Sequence, residues 1–486
     1  MKKKMTLKKA AFINACGKYS KVLLTLIVNA ILARILSATD YGIVAVITVF
    51  STFFTTFSDM GFGVAVIQNK KLSKYDIDNI YSFTIYMSIV LMLIFAGCSK
   101  FIAEFYKNSV YVPLGILLSI SLLFNSANMV PNGILNRNKK FVILAVRTTL
   151  VYFFSAIITI ILAVVGLRYY ALAIQAVLTA VFTFLWNIIT TKPKFYFNFE
   201  FKSVKKVINY SGYQFAFNIV NYFARNLDNL LTGKFMGSAQ LGYYDKAYNL
   251  MLYPVNNLTG VVSPVLHPIL SDYQNNYALI YKKYMKVFKI LFCIALYIAP
   301  FCYLASNEIV DIMYGNNWGD AASCFKYLSL AIIPQMLNSS TGGIFQAIGN
   351  TKLLFWNSCI NTAITVIAIL IGIFYGKSII VLSICVAVAY IFHFFTAYYM
   401  LIVMGFHYKI SKFIKDILPD IVILIGMFTA VSLYPLGVNS NVLFEFMKKA
   451  LYSLVFFIVF LLITKEYRVL NVFNFSLSKR TNEKLD

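Results

Sequence analysis

Apolar residues run along this chain in long blocks separated by short stretches rich in Lys, Asn and Gly. Blocks of roughly 20 residues suit α-helices crossing the hydrocarbon core of a bilayer. About fourteen are predicted, near residues 12–35, 42–67, 79–105, 110–135, 142–165, 168–190, 206–232, 240–270, 286–305, 322–347, 353–375, 378–403, 414–435 and 442–464. Several are longer than a bilayer needs, and Pro254 and Pro264 fall inside the eighth, so tilts or kinks are expected.

A second pattern lies over the first. Arg34-Ile-Leu-Ser-Ala-Thr-Asp-Tyr-Gly42 is echoed about 200 residues later by Lys234-Phe-Met-Gly-Ser-Ala-Gln-Leu-Gly242. Gly133-Ile-Leu-Asn136 matches Gly343-Ile-Phe-Gln346, and Gly166 and Leu172 match Gly376 and Leu382, at an offset one insertion longer. A duplicated half in so apolar a chain predicts two membrane bundles with a transport path in the gap between them. The expected fold is all-α: an N-lobe of six spans (1–192), a cytoplasmic linker (193–205), a C-lobe of six spans (206–404), two further spans (405–464) and a tail (465–486). Six spans is an even number, so both lobes enter the membrane from the same side and the repeat is parallel.

Composition agrees with this reading. Charged residues make up 13% of the chain, against about 25% in soluble domains. The net charge of +25 is scattered through short loops rather than gathered in a polar domain, which argues for the positive-inside rule and against nucleic acid. Lys70, Lys71, Lys74, Arg137, Lys139, Lys140, Lys192, Lys194, Lys202, Lys205 and Lys206 fall in alternate loops, which puts both termini in the cytoplasm. The longest outer segment, near 306–320, carries Glu308, Asp311 and Asp320 and no Lys or Arg. Met1 to Lys4 resembles the start of a signal peptide, but Lys18 and Lys21 interrupt the first apolar block, so a retained first helix is expected. The seven cysteines form no C-x-x-C pair and read as buried small hydrophobes.

Ionisable residues within spans normally face water or a partner. Lys18 and Lys21 lie three apart in the first span, Arg147 opens the fifth, and Arg225 and Asp228 lie three apart in the seventh. Asp59, Asp245 and Lys246 sit at span ends. The lysines and Arg147 can reach the inner surface by snorkelling, and Arg225 and Asp228 can neutralise each other. If the cations face inward together, the cavity is positive and suits phosphate or pyrophosphate. Other chemistry is missing: there is no P-loop, no GxGxxG opening a nucleotide fold, and no ligand spacing among His267, His393 and His407. No enzyme activity, cofactor or metal is expected.

Several stretches resemble bacterial polysaccharide-transporter flippases, a branch of the multidrug/oligosaccharidyl-lipid/polysaccharide exporter superfamily. They are Arg34 to Gly42, Ser58 to Gln68, Arg225 to Gly237, Leu241 to Tyr248, Pro264, and Pro268 to Ser271. The resemblance implies a flippase in the bacterial cytoplasmic membrane that moves undecaprenyl-pyrophosphate-linked oligosaccharide from the inner to the outer leaflet by alternating access. Such a protein serves lipopolysaccharide O-antigen, capsule or exopolysaccharide synthesis, beside polymerase and chain-length machinery. Lys18, Lys21, Arg147 and Arg225 would bind the pyrophosphate head. Asp228 would be an ion-coupling or ion-pair residue, with a proton or sodium ion as the coupling ion. The last two spans would make a groove for the polyprenyl tail. The rivals are an ion-coupled drug or organic-cation antiporter of the same superfamily, and a membrane glycan polymerase or ligase. The first wants carboxylates in the N-lobe cavity; the second wants a large outer loop with paired catalytic groups.

Overall fold

The computed structural model describes residues 7–59, 62–208, 212–271, 273–274, 276–435 and 441–467; within these, the side chains of residues 7–16, 18, 59, 207–208, 212–221, 224, 261–265 and 267–269, Lys18, Asp59, Pro264 and His267 among them, lie outside the description. Most of the described residues are helical, with no strand among them. In chain order the helices are α1 (Leu7–Ile35), α2 (Ala38–Asp59), α3 (Phe62–Gln68), α4 (Lys74–Tyr106), α5 (Tyr111–Ala127), α6 (Met129–Arg137), α7 (Phe141–Val164), α8 (Tyr169–Thr191), α9 (Phe201–Ile208) and α10 (Gly212–Phe235). Then come α11 (Ser238–Ser271), α12 (Tyr277–Leu304), α13 (Ser306–Tyr314), α14 (Gly319–Leu328), α15 (Ile332–Asn338), α16 (Thr341–Ala347), α17 (Thr351–Leu370), α18 (Ile379–Tyr399), α19 (Ile410–Ser432) and α20 (Val442–Thr464).

Among the described residues, nine helical stretches are long and apolar enough to span a membrane. α1, α10, α11 and α19 are of similar length but carry more polar residues, and each coincides with a span expected from the sequence. The protein is a multi-pass membrane protein. The described cysteines (Cys98, Cys293, Cys302, Cys324, Cys359 and Cys385) are free thiols.

Local sequence fixes the helix ends. Ser73 and Asp76 form a capping box at the start of α4: the serine hydroxyl accepts from Asp76 N at 3.0 Å, and Asp76 Oδ2 accepts from Ser73 N at 3.1 Å. Ser37 and Asp40 repeat the device at α2, with Asp40 Oδ2 accepting from Ser37 N at 2.9 Å. Seven non-glycine residues among those described adopt left-handed φ, and all are basic: Lys107, Lys139, Arg168, Lys192, Lys377, His407 and Lys465. Lys107, Lys192 and Lys465 close the C-termini of α4, α8 and α20, where a cation complements the negative end of the helix dipole.

The chain divides into two compact units, Met1–Asp245 with Met313–Trp318, and Lys246–Ile312 with Gly319–Asp486. The division falls inside α11, beyond the linker expected at 193–205. The reason is packing: α10 lies against α2, and Leu241 of α11 is fully buried in a core with Val46, Phe95, Leu114 and Leu122. The linker itself hangs on α4. Backbone amides of Lys194, Tyr196 and Glu200 donate to Asp78 Oδ1 (3.1 Å), Ser82 Oγ (2.8 Å) and Asn79 Oδ1 (2.7 Å). In the second unit, α12 packs on α15, α19 and α20, and α18 packs on α14 and α17.

The repeated sequences occupy equivalent places in the helix order. Ala38 and Ser238 open α2 and α11; Gly133 and Gly343 lie in the short helices α6 and α16. Within the first unit the two copies of the first motif also touch. A Cβ on Gly42 would collide with the backbone carbonyl of Ser238, and a Cβ on Gly242 with the backbone carbonyl of Ala38. Backbone atoms cannot rotate away as a side-chain tip can, so only glycine fits at either position. Gly42→Ala and Gly242→Ala are each expected to destabilise the protein by about 1–3 kcal/mol. Both relax the same crossing, so the double variant should fall short of the sum. Thermal unfolding in detergent checks this; simple additivity would show that the crossing is not shared.

Candidate functional site

The residues singled out above divide sharply by environment. Lys21 lies about 21 Å along α1 from Leu7, at 1.5 Å per residue, and is exposed. Its Nζ stands 5.9 Å from the ring centroid of Tyr152 on α7. The two helices meet closely there, since a Cβ on Gly17 would come within 2.6 Å of Ala145 Cβ. Lys18 is on the same helix, but its side chain lies outside those described.

Arg225 lies about 20 Å along α10 from Gly212 and is also exposed. α10 is held to its neighbours by polar contacts on either side of this residue. Tyr222 OH donates to the Val49 carbonyl at 2.5 Å, Tyr106 OH to the Leu230 carbonyl at 3.0 Å, and Lys234 Nζ to the Phe105 carbonyl. An exposed guanidinium so far from either helix end has no route by which to snorkel, and hydrocarbon would not tolerate it. Arg225 therefore requires water or an anion beside it.

Asp228 is buried and turned away from that role. Its Oδ2 accepts from Tyr244 OH at 2.9 Å and its Oδ1 from Asn229 N at 2.8 Å. The carboxylate thus joins α10 to the first turns of α11, and Arg225 is not among its hydrogen-bond partners.

Arg147 is buried as well. Its Nη1 donates to Asn187 Oδ1 at 2.6 Å and Asn132 Oδ1 at 3.2 Å, and Asn187 Nδ2 donates on to Asn128 Oδ1 at 2.7 Å. Asn128 stands at the break between α5 and α6. The guanidinium ties α6, α7 and α8 together through neutral amides. Arg137 does a similar task nearby: its guanidinium donates to the carbonyls of Val66 (3.2 Å), Lys70 (3.2 Å) and Leu72 (3.3 Å) at the end of α3. Nothing in the sequence separates these two arginines from those left exposed.

The described histidines make no metal site, and no cluster able to hold a metal occurs among the described residues. His393 is buried, with Nε2 2.9 Å from the Asn361 carbonyl and 3.1 Å from Thr365 Oγ1.

Comparison with known proteins supplies the identity. Residues 31–323 match the family described as polysaccharide biosynthesis protein. The chain is 24% identical over 314 residues to the teichuronic acid biosynthesis protein TuaB of Bacillus subtilis (strain 168), covering 62% of this chain and 63% of TuaB. The match thus spans slightly less than two thirds of that relative. It is 23% identical over 358 residues to the lipopolysaccharide biosynthesis protein WzxC of Escherichia coli (strain K12), covering 72% and 71% of the two chains. In fold it resembles the lipid II flippase MurJ in an inward closed conformation, with a TM-score of 0.72 at 17% identity over 95% of this chain and 100% of that one. It also resembles a multidrug resistance MATE family transporter of the MOP superfamily, with a TM-score of 0.61 at 14% identity over 87% and 97% of the chains. With more than half of its length matched, the chain belongs to the polysaccharide biosynthesis protein family.

Proposed function

We propose that this protein is a flippase that carries undecaprenyl-pyrophosphate-linked oligosaccharide from the inner to the outer leaflet of a bacterial cytoplasmic membrane. The observation that carries the reading is the pair of exposed cations, Lys21 and Arg225, deep within the long helices of one unit. Pyrophosphate is the anion such groups recognise. The relatives are named for teichuronic acid and lipopolysaccharide biosynthesis, and the fold resembles that of a protein named as a lipid II flippase.

In this reading the site opens alternately to the two sides of the membrane. Lys21 and Arg225, with Lys18, hold the pyrophosphate head while the polyprenyl tail stays in lipid. Arg147 shapes the lobe around them instead of meeting substrate. Both termini are cytoplasmic, residues 1–192 and 206–404 act as the two lobes, and the last two helices line the path of the tail. Binding alone cannot drive net movement. A proton or sodium gradient, the membrane potential or consumption of the product by the polymerase and chain-length machinery must supply the direction.

The test is head-group exposure of undecaprenyl-pyrophosphate oligosaccharide in liposomes, with and without ion gradients. Lys21→Ala and Arg225→Ala should each slow movement roughly tenfold, the effect of losing one charge-assisted contact, while the variants stay folded. Failure to move any lipid-linked sugar, together with uptake of organic cations, would sink the flippase reading in favour of an antiporter.

A further inference from the structure

The second unit contains a charged cluster that substrate handling does not use. Lys289 of α12 stands between two carboxylates, with its Nζ 2.6 Å from Glu466 Oε1 and 3.7 Å from Asp420 Oδ2. Glu466 lies just past the end of α20, and Asp420 lies in α19 just after Pro419, a proline within the helix. The Asp420 side chain is 2% exposed and that of Glu466 is 12% exposed. Asp420 Oδ2 has no hydrogen-bond partner among the described residues. Three helices meet here, since α12 packs on both α19 and α20 and those two pack on each other.

One ammonium cannot neutralise two buried carboxylates. Left fully ionised, the cluster holds one uncompensated negative charge on two buried carboxylates, beside a lysine side chain that is 22% exposed, a state proteins relieve by taking up a proton. Among the described residues, the surrounding charges do not supply the balance. Lys286, one turn before Lys289, is exposed. Lys465 is exposed and caps α20. Asp416, one turn before Asp420, accepts from Tyr281 OH at 2.6 Å, and Cys293, one turn after Lys289, is a neutral buried thiol. Arg468 lies outside the described residues.

We propose that Asp420 and Glu466, sharing Lys289, form a site for a single proton, and that the proton fastens the C-terminal helix pair to α12. Occupied, the cluster is neutral and closes the junction of the three helices. Emptied, the two carboxylates repel across one lysine, and the end of α20 loosens. The site acts on helices outside the first unit, so the proposal holds whether or not the protein moves a lipid-linked sugar.

The count of protonated carboxyls should track the count of charges. Infrared difference spectra of the full chain in lipid nanodiscs, taken between alkaline and neutral pH, report the carbonyl stretch of a protonated carboxylic acid. Relative to wild type, Asp420→Asn should lose one such group. Glu466→Gln should lose one too, because it frees Lys289 for Asp420. Lys289→Met should gain one. Amide exchange at the end of α20, corrected for its intrinsic pH dependence, should rise on alkalinisation in wild type and stay flat in Glu466→Gln. If both isosteric variants match the wild-type spectrum, the pair is ionised and balanced by another cation, and the proposal falls. Should Asp420→Asn fail to fold, Glu466→Gln and Lys289→Met still decide it, since they must move in opposite directions.

Discussion

Trp318→Ala should lower the stability of the protein by about 3–5 kcal/mol, the largest single effect expected from a core truncation here. Trp318 is 1% exposed, although the sequence around it reads as a loop between spans. Its Nε1 donates to the Ala33 carbonyl at 2.9 Å, in the last turn of α1, where carbonyls have no helical partner. Its ring meets Tyr41 edge-on at 5.6 Å and Tyr243 at 5.7 Å. Arg34 secures the same turn, donating to the carbonyls of Ala30 at 2.7 Å and Met313 at 3.4 Å. Trp318→Phe keeps most of the packing and loses the hydrogen bond, so it should cost only about 1 kcal/mol. The shift in apparent unfolding temperature of purified protein measures both. A Trp318→Ala variant as stable as wild type would mean that the segment merely rests on the first unit.

Arg147→Ala should destabilise the protein by about 2–4 kcal/mol. Removing the guanidinium relieves one buried charge but leaves the Asn132 and Asn187 oxygens without their donor. Two charge-assisted bonds at about 1.5–3 kcal/mol each outweigh that relief. Arg147→Lys should recover only part of the loss, because a shorter, flexible stem must carry its ammonium to the point where the rigid guanidinium holds Nη1 between two amide oxygens. Lys21→Ala offers the contrast, with transport slowed and stability kept. If Arg147→Ala folds with wild-type stability yet loses head-group binding, Arg147 belongs with the substrate after all.

What could be read in advance was whatever depends on local pattern. The apolar blocks matched helices because a bilayer admits little else. The first repeated motif was legible because its shared glycines, Gly42 and Gly242, stand where backbone meets backbone and no other residue fits. Burial of individual charges was not legible. Arg147 and Arg225 look alike in sequence, each an arginine inside an apolar run; only tertiary packing gives one a cradle of asparagines and leaves the other exposed. Asp228 stands three residues from Arg225, the spacing of neighbours on a helix. Its actual partner, Tyr244, comes from another helix. The Lys289, Asp420 and Glu466 cluster joins three helices scattered over nearly 180 residues, and no spacing rule reaches that far. Trp318 was hidden for the same reason: an acidic stretch between apolar blocks says nothing of the surface on which it docks.

The crossing at Gly42 and Gly242 has a consequence for ancestry. Residue 42 meets residue 238 while residue 242 meets residue 38, which is the reciprocity of a two-fold interface between identical subunits. A chain of half this length, carrying one copy of the motif, would present the same glycine to a second copy of itself. The duplicated protein thus keeps, as an internal fold contact, the kind of surface through which a homodimer of its own half would assemble.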